Sequence, residues 1–180
     1  MVLTACNAGT SSTGPTDDHD PRVCSPRVMA VPNEGATHLP EGTPVKYGAN
    51  PPASGSHWPA PNPWGVFLDP PIPRERWVHN LEHGGVVLLY RCPVSDAAVV
   101  GDAGATPPCP DLWQPLIALR AERKPDKFGV VRVIVTADPL LTSSVAAVAW
   151  DYSFAGDRVD VDAMRCFIEK RYGQGPEDVP

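Results

Sequence analysis

The chain has 180 residues, with 15 basic against 21 acidic side chains and a formal net charge of −6. It has no clustered basic face to displace counterions, which sets nucleic-acid binding aside. No apolar run approaches the roughly 20 residues of a membrane-spanning helix. Proline is the compositional outlier at 23 residues, more than twice the average usage of about 5%. Fourteen of the 23 precede residue 76. Proline removes a backbone donor and fixes φ, so that half excludes long helices and central strands. Yet a hydrophobic fraction of 42% with five tryptophans is too apolar for a disordered linker. An ordered region with so little regular structure needs packing, disulfides or a metal to hold it.

At the start, Leu3-Thr4-Ala5-Cys6 resembles the lipobox of a bacterial lipoprotein, with Cys6 as the lipidated residue. The charged and apolar segments that precede a lipobox are missing here, so the expected leader begins upstream of Met1. Asn7 to Asp20, rich in Ser, Thr, Gly and Asp, reads as a flexible tether. The expected organisation is therefore a lipobox and tether over 1–20 and a single domain over 21–180. The membrane would be met only through the lipid.

From 21 to 84 the domain reads as loop with short extended pieces. The best strand candidates are Val45-Lys46-Tyr47 and Gly65 to Leu68, each bracketed by proline or glycine. From 85 to 180 the periodicity sharpens. Val86-Val87-Leu88-Leu89 is a continuous apolar run of strand length, which implies burial on both faces. Cys109 to Lys124 contains a helix with Leu112, Trp113, Leu116, Ile117 and Leu119 on its apolar side and Pro115 in its first turn. Phe128 to Ala137 and Val145 to Tyr152 are strands expected to pair antiparallel around the loop between them. Asp160 caps a last helix with apolar Val161, Met164, Phe167, Ile168 and Tyr172, ending in Lys170, Arg171 and Gly173. The order β-α-β-β-α predicts an α+β fold, a small and mainly antiparallel sheet with two helices on one face.

Setting Cys6 aside leaves Cys24, Cys92, Cys109 and Cys166, an even number that permits two disulfides in an exported protein. No Cys-x-x-Cys pair suggests a redox motif or a zinc knuckle. Cys92–Cys109 would close the Pro/Gly-rich excursion between them, leaving Cys24–Cys166 to tie the irregular half to the last helix. Four buried free thiols are the alternative.

Five histidines occur: His19 in the tether, then His38, His57, His79 and His83 in or beside the proline-rich half. His79-Asn80-Leu81-Glu82-His83 places two imidazoles four residues apart. On a helical turn they share a face and can share a metal; on a strand they would stand about 13 Å apart at about 3.3 Å per residue. Gly84-Gly85 stops the turn directly before the buried strand. His57 lies in a segment stiffened by Pro51, Pro52, Pro59 and a Ser54-Gly55 turn, and His38 sits two residues before Pro40. Three or four imidazoles suit a divalent transition metal, copper or zinc, and the lack of Met or thiolate argues against a site tuned for Cu⁺. Glu82 is a further ligand, an acid/base, or a partner that orients an imidazole. Ser54 and Ser56 belong to turn chemistry, because neighbours of a histidine rarely align with its ring. Trp58, Trp64 and Trp77 read as packing around the site.

Asn50-Pro51-Pro52-x-Ser54-Gly55-x-His57-x-Pro59, Gly65-Val66-Phe67 and Val78 to Val87 together resemble a bacterial family known only as a domain of unknown function. His38 and Tyr47 match its upstream positions. Val148-Ala149-Trp150, Phe167-Ile168 and Gly175-Pro176-Glu177 match its C-terminal end. The resemblance implies an exported, often lipid- or membrane-anchored protein. One departure is Lys170-Arg171, where the family tends to carry another histidine, which removes a ligand from that helix.

Three functions follow. The first is an exported lipoprotein, periplasmic or on the cell surface, with a mononuclear site of His38, His57, His79 and His83, handling a metal or using it chemically. The second is a zinc hydrolase, because His79-x-x-Glu82-His83 spells the H-x-x-E-H of inverzincin peptidases with Glu82 as base. Against it, Gly84-Gly85 ends the helix at once, and such enzymes are larger. The third is a metal-free envelope domain that binds a partner or serves structure.

Overall fold

The computed structural model describes residues 20–93 and 108–180. Cys6, His19 and nearly all of the tether lie outside the described residues, as does the stretch 94–107. Among the described residues, six strands form one sheet in the order β1-β6-β5-β3-β4-β2. They are β1 (Val28–Ala30), β2 (Gly65–Phe67), β3 (Val86–Tyr90), β4 (Val133–Ala137), β5 (Val145–Ala149) and β6 (Tyr152–Gly156). Among the described residues three α-helices accompany them: α1 (Arg74–Glu82), α2 (Pro110–Ala121) and α3 (Val161–Arg171). Three of the pairings are antiparallel (β1/β6, β6/β5, β5/β3) and two parallel (β3/β4, β4/β2), so the fold is α+β with a mostly antiparallel sheet.

The apolar run Val86–Tyr90 decides the arrangement. All five residues are buried, so β3 needs partners at both edges and cover on both faces. Val86, Leu88 and Tyr90 face one layer, where Trp113, Leu116 and Leu119 of α2 meet Met164, Phe167 and Ile168 of α3. Val87 and Leu89 face the other, where Trp77, Val78 and Leu81 of α1 pack with Ile72, Leu141 and Trp150. The two expected helices do share one face; α1 covers the opposite one. That third helix is what carries the histidine motif. It runs nine residues rather than the single turn that the His79–His83 spacing required.

Other expectations shift for the same reason. β4 and β5 do not pair with each other, because β3 lies between them. Where β3 ends, the Asp138 N–H donates to the Tyr90 carbonyl and the Arg91 N–H to that of Ser144, both at 2.8 Å. The parallel β3/β4 pair is reached through the α2 crossover such a pair requires. The expected strand through Tyr152 instead breaks at Trp150-Asp151, a two-residue turn with Asp151 left-handed at φ 61°, and returns as β6. The order after residue 85 is thus β-α-β-β-β-α. Val45–Tyr47 is not a strand, whereas Val28–Ala30 joins the sheet edge. Proline at the start of α2 is Pro110; Pro115 lies inside the helix. Asp160 does cap α3, its side chain accepting from the Ala163 N–H.

Both expected disulfides are present. Cys24–Cys166 joins the segment before β1 to α3, and Cys92–Cys109 joins the end of β3 to the start of α2, with Cα separations of 5.4 and 5.6 Å. Cys24–Cys166 spans 142 residues against 17 for the other. The chain-entropy argument therefore gives it the greater effect on the unfolded chain. A Cys24→Ala/Cys166→Ala variant should lose roughly 3–5 kcal/mol of stability in denaturant titration, and more than a Cys92→Ala/Cys109→Ala variant.

Candidate metal centre

His38, His57 and His79 reach the site from three different pieces of backbone. His38 and His57 lie on two extended segments joined as a short parallel bridge, where the His57 N–H donates to the Thr37 carbonyl and the Leu39 N–H to that of His57. The Ser54-Gly55 turn feeding His57 is fixed from three sides. Ser54 Oγ accepts from the Glu34 N–H, the Gly55 N–H donates to Gly35, and the Tyr47 hydroxyl donates to the Ser56 carbonyl. The Ser54 hydroxyl thus belongs to the turn. His79 and Glu82 stand one turn apart on α1, whose Trp77 and Leu81 are fully buried.

These segments bring His38, His57, His79 and Glu82 together. One ligand atom from each lies within 4.8 Å of all the others. The three imidazole centroids are mutually 4.8 Å apart, an equilateral triangle. Glu82 Oε2 sits 3.0 Å from His57 Nε2, 3.6 Å from His38 Nε2 and 4.0 Å from His79 Nε2. His57 is wholly inaccessible and Glu82 nearly so, while the His38 side chain is 47% exposed and forms the mouth.

The ring nitrogens are already sorted. His57 Nδ1 lies 2.8 Å from the Gly55 carbonyl and His79 Nδ1 2.8 Å from that of Trp58. A carbonyl only accepts, so each Nδ1 carries a proton and each ring turns its Nε2 to the centre. Burial pushes the His79 imidazole down to about 4; the facing rings of His57, His83 and His38 lower it further and the Trp58 bond opposes them. His79 is therefore neutral at pH 7 and ready to bind a cation. Across the centre, His57 Nε2 and Glu82 Oε2 are buried and neither has a hydrogen-bond partner. Two facing acceptors at 3.0 Å need a cation between them or a proton on one of them. Three imidazoles and a carboxylate are donors suited to a divalent transition metal.

The sequence missed what surrounds the site. Asn80 makes reciprocal hydrogen bonds with the backbone of Asn62, accepting at 2.9 Å and donating at 2.8 Å. This draws the loop bearing Trp64 onto α1. A Cβ at Gly85 would stand 2.5 Å from the Trp64 ring, so the second glycine of the motif makes room for that indole. Gly84, at φ 75°, ends α1 and accepts a backbone bond from Gly173. Trp58 donates to the Thr43 carbonyl and Trp77 is core, so the tryptophans pack, as expected. Arg132, 3% exposed, donates to the His83 carbonyl and, at 3.3 Å, to Val179, clamping the C-terminal segment onto the end of α1. The spacing of the His79–His83 motif gives no sign of the roles of Asn80, on α1, or of Arg132, just before β4; their burial in the fold reveals them.

His83 lies outside the four-membered group. Its Nε2 is 3.1 Å from His79 Nε2, and its Nδ1 is 3.0 Å from the Pro180 carbonyl.

The geometry defines a three-histidine, one-carboxylate centre mounted on an α+β domain. The chain belongs to the DUF3105 family of proteins of unknown function, whose family model matches residues 38–180. No curated protein and no solved structure matches it. Two disulfides fit an oxidising, exported setting, and among the described residues no helix is long and apolar enough to cross a membrane.

A Cβ at Gly175 would lie 2.2 Å from the Gly84 nitrogen and 2.3 Å from the Glu82 carbonyl, both backbone atoms that cannot yield. Gly175→Ala should therefore lift the C-terminal segment off the end of α1 and cost at least about 1–3 kcal/mol in a thermal or denaturant melt.

Proposed function

We propose that the protein is an exported metal-binding domain that holds one divalent transition-metal ion, copper or zinc, through His38, His57 and His79 Nε2 and Glu82 Oε2. Its role is metal handling or metal-dependent chemistry, and Cys6 tethers it to the membrane as a lipoprotein. The observation that carries this reading is the pair of unpartnered buried atoms, His57 Nε2 and Glu82 Oε2, aimed at the centre of the imidazole triangle. Leaving a carboxylate buried without compensation costs several kcal/mol, and a cation among these four atoms removes that cost. The absence of sulfur in the set favours a divalent ion over Cu⁺.

A zinc hydrolase is the second reading, favoured by one observation. His79 and His83 Nε2 are 3.1 Å apart, close enough to meet on one ion at zinc–nitrogen distances of about 2.0–2.1 Å. Glu82 separates the two. As a ligand its oxygen belongs among His38, His57 and His79; as a base it would be dispensable for binding.

Protein purified without a histidine tag should carry about one equivalent of copper or zinc by elemental analysis after loading and desalting. His57→Ala and Glu82→Gln should each weaken binding by more than the roughly 10–100-fold typical of losing an outer-sphere partner. Wild type and variants holding the same trace metal would remove this reading. A Glu82→Gln protein that keeps its metal but loses a hydrolytic activity would establish the second one.

A further inference from the structure

His83 is the one motif histidine that the four-ligand centre does not absorb, and its surroundings are specific. Its Nδ1 donates to the backbone oxygen of Pro180 at 3.0 Å, which leaves Nε2 turned away from that bond. That Nε2 faces His79 Nε2, 3.1 Å away, on a ring whose Nδ1 is held by Trp58. On its other side, His83 Nε2 has Glu177 Oε2 at 3.5 Å. The two imidazole nitrogens thus stand 3.1 Å apart, with the Glu177 carboxylate 3.5 Å from the outer one, beside the four-membered centre.

His79 is the common member. Its ring is 4.8 Å from His38 and from His57 on one side and 4.7 Å from His83 on the other. An imidazole nitrogen has one lone pair and binds one ion at a time, so His79 cannot bridge two ions through Nε2. It can pass one ion between two positions. The His57 side chain is inaccessible and that of His83 is 12% exposed, whereas those of Glu177 and His38 are 48% and 47% exposed, so solvent reaches the histidines from two ends. Glu177 is held in place by its own N–H, which donates to the Glu82 carbonyl at 3.0 Å, and by the close Gly175–Gly84 contact before it.

Resting on the four-ligand reading, we infer that His83 and Glu177 form an outer station for the same divalent cation. The ion is taken up by His83, Glu177 and His79, then transferred inward to His38, His57 and Glu82 while His79 stays bound; release runs the same path backward. A station crossed in both directions alters the barrier and leaves the end states unchanged. The stoichiometry is therefore one ion, and the station sets the rate of exchange.

The test uses Zn²⁺ as probe, with loading and release followed by stopped-flow against a chromophoric chelator. Wild-type stoichiometry is measured first, and a wild type that binds no zinc and no copper sinks the four-ligand reading itself. Glu177→Gln, a change at a half-exposed side chain that leaves the fold alone, and His83→Gln should each retain one equivalent. Affinity should stay within about threefold of wild type. Loading and release should both slow by about tenfold or more. Unchanged rates in both variants would route exchange through the exposed His38 mouth and overturn the station. Loss of the zinc in His83→Gln would make His83 an integral ligand and overturn it equally.

Discussion

The constraint on which the rest of the structure turns is the carboxylate of Glu82, taken out of water and set 3.0 Å from an imidazole nitrogen that has no partner. Desolvating a carboxylate is expensive unless a cation or a proton joins it to the group it faces. The arrangement persists because the backbone leaves neither group another place to go. His57 is held by its Nδ1 bond to Gly55 and by the bridge to the His38 segment. Glu82 is held by a helix whose Trp77, Val78 and Leu81 are packed into the core against the sheet. A site this resistant to relaxation is pre-organised for a cation, since few degrees of freedom remain to be lost when one binds.

The proline-rich half achieves that rigidity without regular secondary structure, mainly through side chains that bond to backbone. Glu34 accepts from the Gly48 and Ala49 N–H groups. Asn50 donates to the Leu140 carbonyl and accepts from Arg74, which also pairs with Asp138. Trp58 fastens one loop to another, and Asn80 fastens the Asn62 loop to α1. Each bond satisfies a group that a helix or strand would otherwise have paired. Because prolines fix φ along these segments, the unfolded chain has less entropy to regain and fewer bonds suffice to hold the shape. The Cys24–Cys166 bridge fastens the start of this half to α3 on the far face of the sheet.

Much of this was legible in the residues, and the boundary follows physical lines. The apolar run at Val86–Leu89 announced a strand buried on both sides, and Asp160, Lys170, Arg171 and Gly173 marked both ends of α3. The topology was less legible. Adjacency in sequence favoured pairing β4 with β5, whereas an all-buried β3 needs two neighbours and is inserted between them. The return at Trp150-Asp151 escaped notice because it lacks the Asn-Gly or Asp-Gly signature of tight hairpins. In the site, histidines within a proline-rich stretch pointed to the right segments. Spacing alone grouped His79 with His83, the i,i+4 pair, and left Glu82 undecided. The fold instead groups Glu82 with His38 and His57, and its helical offset of three residues from His79 turns it into the same centre. Contacts between segments some 20 to 40 residues apart carry no local pattern, so only the folded chain shows them.

The central claim is that the four atoms converge on one metal ion. X-ray absorption at the edge of the bound metal, on loaded wild-type protein, addresses it most directly. The account predicts one shell of three nitrogens and one oxygen, at about 2.0–2.2 Å if the metal is zinc, with the outer-shell scattering of three imidazole rings and no sulfur. A spectrum dominated by water oxygens, or one with sulfur or fewer than three imidazoles in the shell, would contradict it.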